Sequence, residues 1–283
     1  MKPPPFDYAR PGTLAEAVAL LAADEDARPL AGGQSLVPMM NFRLARPSTL
    51  VDIARLPGLG AVAREDGVLV IGAAARQRAV ELSPLVAECC PLLVAALRHV
   101  GHHQIRTRGT IGGSLAHADP AAELSAAAAV LDAEVIATGP SGQRRIPAAE
   151  LAVAPYQTAL EQGEIITETR WPISPGSRCG FAEISRRAGD FAVAGVAAVV
   201  SLDSGVVTRA RLAGLGIGGT ARRLPEAERV LLDRPLSTES VEAAAATAAE
   251  SVDPPEDVHA DADTRRAALR AATRRALEQS AHA

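Results

Sequence analysis

The chain has 283 residues, a formal net charge of −4, 48% hydrophobic residues and only 2% aromatics. That length allows two domains with a substantial core, and the slightly negative charge provides no global field toward nucleic acid or an anionic membrane. Lysine occurs once, at Lys2, so arginine supplies nearly all the positive charge.

The N-terminus, Met1 to Phe6, lacks the apolar stretch of a signal peptide, and no apolar run is long enough for a membrane span. Thr13-Leu14-Ala15-Glu16 reads as a capping box opening an Ala/Leu-rich helix to about Ala23. Arg28 to Ala31 reads as a short strand, Leu36 to Leu44 as a helix broken early by Pro38, and Leu50 to Ile53 as a buried strand. Val62 to Arg64 and Val68 to Ile71 flank Asp66-Gly67, a hairpin signal. Leu85 to Val100 reads as one helix, followed by a loop containing His102, His103, Gln104 and Arg106. Asp119-Pro120 predicts a helix to about Leu131, with Asp as N-cap and Pro at its first position. Glu134 to Thr138 and Arg144 to Ile146 form a second hairpin, and Ile165 to Trp171 another strand. Pro172 to Gly176 is the best linker. Beyond it lie three strand-like runs (Phe181 to Arg187, Ala192 to Leu202, Val206 to Leu215) and then helices near 226–232, 238–251 and 262–279. Strands first and helices last predict a second domain of α+β class.

Two diglycine segments stand about eighty residues apart: Leu30-Ala31-Gly32-Gly33-Gln34-Ser35 and Thr110-Ile111-Gly112-Gly113-Ser114. Glycine admits close backbone approach and positive φ, and successive free N–H groups form an anion-holding nest. A helix following each loop would turn its positive dipole end toward the same anion. One such loop is an ordinary tight turn; two, both ending in Ser, predict a pair of jaws around one pyrophosphate.

Other motifs carry less. Gly214 to Gly219 matches G-x-G-x-x-G with Asp233 downstream, but Pro225 interrupts the expected helix and no returning strand follows, so a dinucleotide βαβ unit is not supported. The histidines at 99, 102, 103 and 117 and the cysteines at 89, 90 and 179 fit no standard zinc spacing, disulfide framework or iron–sulfur ligand set. This cysteine usage predicts a reduced, cytoplasmic protein, and any electron carrier must be organic or sit on another chain. No nucleophile elbow or paired-carboxylate motif stands out. Asp119 and Glu123 read as helix caps that could also accept hydrogen bonds from sugar-like hydroxyls. Arg186 and Arg187 read first as a solvated turn.

The chain resembles the FAD-binding medium subunits of molybdenum hydroxylases, the group that includes carbon monoxide dehydrogenase medium subunits, nicotine dehydrogenase FAD subunits and xanthine dehydrogenase flavin domains. The resemblance spans nearly the whole sequence. It runs from KPPPFDYARP through AGGQSLVPMMNFRLARP and QIRTRGTIGGSLAHADPAAEL to EISRRAGDFAVAGVAA. It implies a two-subdomain FAD-binding domain of the vanillyl-alcohol-oxidase-like (PCMH) type at 1–175, with subdomains of about 1–57 and 58–175. A C-terminal α+β domain at 176–283, a three-stranded sheet plus helices, would follow. Ala31, Gly32, Gly33, Gln34 and Ser35, flanked by Leu30 and Leu36, would wrap one side of the FAD pyrophosphate. Thr110, Ile111, Gly112, Gly113 and Ser114 would wrap the other. Glu123 matches an acidic FAD contact, Val100 a contact before the second segment, and Leu160 an apolar contact near the ring. Arg187 and Phe191 would approach the isoalloxazine from the C-terminal domain. Gln34 stands where some relatives have His, and since Gln cannot form a covalent flavin link, noncovalent FAD is expected.

The resemblance further implies an electron-transfer subunit, with no catalytic residue of its own. A large partner would hold the molybdenum–pterin cofactor and a small one two [2Fe–2S] clusters. Electrons would pass singly to FAD and leave to oxygen, quinone or NAD, in a heterohexamer. Two other readings stand beside it: a stand-alone, nicotinamide-linked flavoprotein reductase of the same superfamily, for which no clear proton donor is evident, and a scaffold subunit without ligand.

Overall fold

The computed structural model describes residues 1–282. The chain opens with β1 (Asp7–Ala9), α1 (Leu14–Ala23), β2 (Arg28–Leu30), α2 (Leu36–Asn41) and β3 (Thr49–Asp52). The three strands form a parallel sheet in the order β1-β3-β2. Thr13 caps α1, its Oγ1 accepting from Glu16 N at 3.2 Å. The reciprocal bond slips by one residue, since Glu16 Oε2 accepts from Gly12 N at 2.7 Å. Ala17, Val18 and Leu21 then bury against Val51 and Ile53. Pro38 does not break α2: it falls in the first turn, where a missing N–H leaves no helical bond unmade. The helix stops three residues later, and Arg43 turns into the left-handed region (φ 61).

The second subdomain contains β4 (Val62–Glu65), β5 (Val68–Gly72), α3 (Gln77–Glu81), α4 (Pro84–Cys89), α5 (Pro91–Leu97), α6 (His103–Arg108), α7 (Ile111–His117) and α8 (Glu123–Val130). It continues through β6 (Glu134–Gly139), β7 (Gly142–Pro147), α9 (Ala148–Leu151), β8 (Ala152–Ala154), β9 (Gln157–Thr158) and β10 (Ile165–Pro172). Its sheet is antiparallel throughout, in the order β4-β5-β10-β6-β7, with β8 and β9 paired separately. Asp66 (φ 40) and Gly67 (φ 82) supply the two left-handed residues of the first hairpin turn.

Three expectations are corrected here. The helix read across 85–100 is two helices, because Pro91 pushes Cys90 out of the helical region (φ −148, ψ 65). The loop read around His102 contains α6. Asp119 does not cap α8; its Oδ1 closes a local turn on Ala121 N at 2.9 Å, and the helix starts at Glu123. That helix is buried all round. Leu124 and Ala128 join the core of the second subdomain, while Ala126, Ala127, Ala129 and Val130 pack on Phe181 and Ala197 of the third sheet. Its small side chains let two layers close on one helix.

The remaining elements are β11 (Arg178–Ser185), β12 (Ala192–Asp203), β13 (Val206–Leu215), β14 (Arg222–Arg223), α10 (Pro225–Leu231), α11 (Thr238–Glu250) and α12 (Ala262–His282). The three strands read from the sequence gain a fourth, giving an antiparallel sheet β11-β12-β13-β14. Strand β14 has two residues, too few for any periodicity, and Arg223 is fixed by Glu228 at 2.7 Å. The sheet is covered on both faces, by α10, α11 and α12 on one side and by α5 and α8 on the other, so β12 is almost entirely apolar. The G-x-G-x-x-G segment is the end of β13 and a turn into antiparallel β14. Gly216 N donates to Pro120 O at 2.9 Å, tying that turn to the approach to α8. Among the described residues no helix is long and apolar enough to cross a membrane.

Candidate functional site

The fold brings the two diglycine segments into contact. A Cβ built on Gly32 would stand 2.9 Å from Gly109 Cα and 3.0 Å from Arg108 C, so only glycine lets this loop lie on the backbone that leads into the second segment. A Cβ on Gly113 would stand 3.6 Å from Ala31 Cβ. Arg76 Nη1 donates to the Arg108 carbonyl, and Gln77 N donates to Gly109 O at 2.9 Å, which fixes the approach from below.

The segments differ in what they present. In the first, Gly33 is left-handed (φ 72), and among the described residues the N–H groups of Gly32, Gly33, Gln34 and Ser35 have no protein acceptor. Gln34 Nε2 folds back on Gly32 O at 3.1 Å. Ser35 precedes α2 without a side-chain cap bond, and Leu36 begins that helix. Leu30 ends β2, its carbonyl accepting from Ile53 N at 3.0 Å. This row of donors is the nest expected of a phosphate loop.

The second segment is not a loop with free donors. It caps and opens α7, and the N–H groups of Ile111, Gly112, Gly113 and Ser114 are committed internally. Ile111 N donates to Ala75 O (3.1 Å), Gly112 N to Ala73 O (2.9 Å), Gly113 N to Thr110 Oγ1 (3.1 Å) and Ser114 N to Thr110 O (3.1 Å). Ile111 is fully buried in the core. Gly112 is small because a Cβ would come within 2.9 Å of Ala73 Cα. What faces outward is the half-buried surface of Gly113 and the Ser114 hydroxyl, which has no protein partner among the described residues.

Val100 and Leu160 are partly buried against the core that also holds Ile111 and Leu115 of α7. Arg106 grips the turn before α6: Nη1 donates to Val100 O (2.8 Å) and Gly101 O (3.0 Å), and Nε to Glu81 Oε2 (2.8 Å). Burial works against the Glu81 charge, but Arg78 and Arg106 outweigh it and hold the carboxyl below its ordinary range. Glu123 is nearly buried at the start of α8. From the C-terminal domain, β11 ends at Ser185, so Arg186 and Arg187 lie on a turn, not a strand. Gly189 (φ 77) seats that turn on Gly101 and His102, where a Cβ would come 3.1 Å from Gly101 C. Arg187 is exposed and 3.7 Å from Asp190, and Phe191 is 70% exposed. Sequence reasoning missed Arg106 and Glu183. The second was legible by alternation: it shares a sheet face with buried Phe181, and its side chain is only 4% exposed.

These features fit a phosphate-bearing dinucleotide such as a flavin: unpaired donors for a pyrophosphate and two free hydroxyls. The fold and the relatives it matches define a FAD-binding subunit of an oxidoreductase complex. Residues 4–174 match the FAD binding domain in molybdopterin dehydrogenase, and residues 180–280 the CO dehydrogenase flavoprotein C-terminal domain. The chain is 45% identical to the 6-hydroxypseudooxynicotine dehydrogenase complex subunit alpha of Paenarthrobacter nicotinovorans, covering 100% of this chain and 96% of that one. It is 39% identical to the nicotine 6-hydroxylase medium subunit of the same organism, covering 99% of each. A solved structure of carbon monoxide dehydrogenase from Hydrogenophaga pseudoflava, lacking the Mo-pyranopterin moiety, superposes with a TM-score of 0.96 at 38% identity, covering 100% of this chain and 99% of that one. The chain belongs to the FAD-binding medium subunits of the molybdenum hydroxylase family.

Proposed function

We propose that this chain carries electrons from [2Fe–2S] clusters on a small partner, through noncovalently bound FAD, to an external acceptor, while a large molybdenum–pterin partner oxidises the substrate. The observation that carries the reading is the first diglycine segment: pinned on Arg108–Gly109, it offers four consecutive uncommitted N–H groups beside the second segment. Those donors would hold the pyrophosphate, with the Ser35 and Ser114 hydroxyls completing the cradle. Glu123 would accept from the ribityl or ribose hydroxyls. Val100 and Leu160 would line the apolar side, and Arg187 and Phe191 would approach the ring from the turn that rests on Gly101 and His102. FAD, when bound, supplies one-electron and two-electron chemistry; the protein binds it, orients it and excludes water. Gln34 has no atom able to form a covalent flavin bond, and its amide shapes the loop instead. The proposal takes 1–57 and 58–175 as the two subdomains of the flavin domain and 176–283 as the C-terminal domain. A division of labour with partners agrees with relatives whose names specify different substrates, nicotine and carbon monoxide among them.

The visible spectrum of the purified chain tests the cofactor: a flavin spectrum released by acid precipitation is expected. A colourless chain that also fails to take up added FAD would sink the reading. Copurification with an iron–sulfur chain and a molybdenum chain is expected for the electron-transfer subunit, whereas a lone yellow chain reduced directly by a nicotinamide would favour the stand-alone reductase.

A further inference from the structure

The Gly214–Gly219 segment, whose spacing imitates a dinucleotide loop, is held in place by a buried arginine. Arg265, in the first turn of α12, is 5% exposed. Its Nη1 donates to Val193 O at 2.7 Å and to Gly216 O at 2.8 Å, and its Nη2 to Asp257 Oδ2 at 2.7 Å. The guanidinium therefore ties the start of β12, the end of β13 and the segment leading into α12 to one another. Gly216 fits there at φ 72, where a Cβ would stand 2.7 Å from Val193 O.

The held turn meets the flavin domain at two points. Gly216 accepts from Arg265 through its carbonyl and donates through its N–H to Pro120 O at 2.9 Å. Gly219 lies against Pro155, since a Cβ built on it would be 3.3 Å from Pro155 Cδ. The next residue, Tyr156, donates its N–H to Ala118 O at 3.0 Å. Pro120 and Ala118 both belong to the connection between α7 and α8. That connection is tightly wound: Ala118 is left-handed (φ 50), and Asp119 accepts from Ala121 N at 2.9 Å and from Ala122 N at 3.0 Å. It ends at Glu123, the first residue of α8, which is 9% exposed.

Arg265 Nε is buried without a partner. A buried guanidinium with one donor unpaired carries a desolvation cost that an apolar side chain of similar volume lacks, so stability alone is a poor reason for it. What arginine supplies is a planar fork that fixes two carbonyls and a carboxylate together. We propose that Arg265 is a positioning residue for the cofactor site: through Gly216 and Pro120 it holds the connection between α7 and α8, and so sets Glu123 where it meets a hydroxyl of bound FAD. The glycine-rich turn is then an interdomain clamp. The inference rests on the FAD reading above.

The test crosses Arg265→Lys with Glu123→Ala in the full chain. Lysine keeps the charge but brings one nitrogen to a place that uses two. In Arg265→Lys the Gly216 amide should exchange with deuterium about tenfold faster than in wild type, and FAD should bind about tenfold more weakly, a coupling ordinary for residues of one hydrogen-bond network. In the Glu123→Ala background, Arg265→Lys should weaken FAD no further; a purely structural role would subtract the same amount in both backgrounds. Additive losses, an unchanged affinity or an unchanged Gly216 amide each overturn the proposal. If Glu123→Ala binds no FAD, Glu123→Gln replaces it in the cycle. If Arg265→Lys does not fold, Asp257→Asn takes its place. It withdraws the charge from Arg265 Nη2 and keeps Oδ1, which accepts from His259 N and Ala260 N. The same order of effects should appear at smaller amplitude, and the same results reject it. A wild-type chain that takes up no FAD defeats the flavin reading through its spectrum, while the Gly216 amide still reports on the clamp, so the two failures are separable.

Discussion

The two diglycine segments share a sequence and differ in physics. Gly32-Gly33 is an irregular loop with Gly33 at positive φ and its donors uncommitted. Gly112-Gly113 is the first turn of a capped helix whose donors are all spent within the protein. In the first, glycine leaves backbone donors open; in the second it lets helix α7 sit on Ala73, with Gly113 beside Ala31 of the first. A motif that reads as two equal jaws is, in the structure, one open loop with free donors and one rigid helical turn, a gripping surface and a backstop in the function proposed above.

Breaking the backstop should have the larger effect. Gly112→Val drives a branched side chain into the Ala73 backbone, which cannot step aside as a flexible side chain would. We expect a loss toward the upper end of about 1–3 kcal/mol in the apo chain, with FAD lost as a consequence. Gly33→Val strains only a surface loop, by about 1–2 kcal/mol for a side chain in the left-handed region. Here FAD should be lost while the apo chain melts only about 2–4 °C lower per kcal/mol, less than Gly112→Val. Paired apo melting curves and flavin content check both; equal melting temperatures for the two variants would erase the distinction.

The architecture was legible where periodicity or turn chemistry was strong. The Asp66-Gly67 hairpin, α1 with its Thr13 cap and the three long C-terminal strands follow directly from pattern. The errors arose where tertiary contacts or single residues override pattern. Pro38 was harmless because of where in the helix it fell, Pro91 was disruptive for the same reason, and Asp119 closed its own turn instead of capping. In the candidate site, the open loop of the first segment, with Gly33 at positive φ, was readable from Gly-Gly-Gln-Ser. The commitment of the donors of Ile111 and Gly112 was not, because their acceptors, Ala75 and Ala73, lie far back in sequence on the turn after β5.

A gentler cut sharpens the same contrast. Thr110→Ala removes the cap of α7 and frees Gly113 N, which should cost about 1 kcal/mol. If the second segment gripped phosphate through its N–H groups, freeing one would help FAD bind. As a backstop it should instead loosen, so FAD affinity should fall together with the melting temperature, and Thr110→Ser should restore both.

The smallest expected effect lies in the first segment. Gln34 Nε2 bonds to Gly32 O across a half-exposed loop, so Gln34→Ala should cost the apo chain at the low end of about 0.5–1.5 kcal/mol. The loop's shape matters more once a ligand must fit it, so the loss should be larger in FAD affinity, by roughly fivefold for each 1 kcal/mol. Gln34→Glu keeps the length, loses the donor and sets a negative charge beside the expected phosphates. Its affinity should therefore fall below that of Gln34→Ala, and the gap between them should shrink as salt rises. Titration of both apo variants with FAD at two ionic strengths measures that order. If Gln34→Glu binds as well as Gln34→Ala at low salt, no anion rests against this loop, and the gripping role assigned to the first segment falls with it.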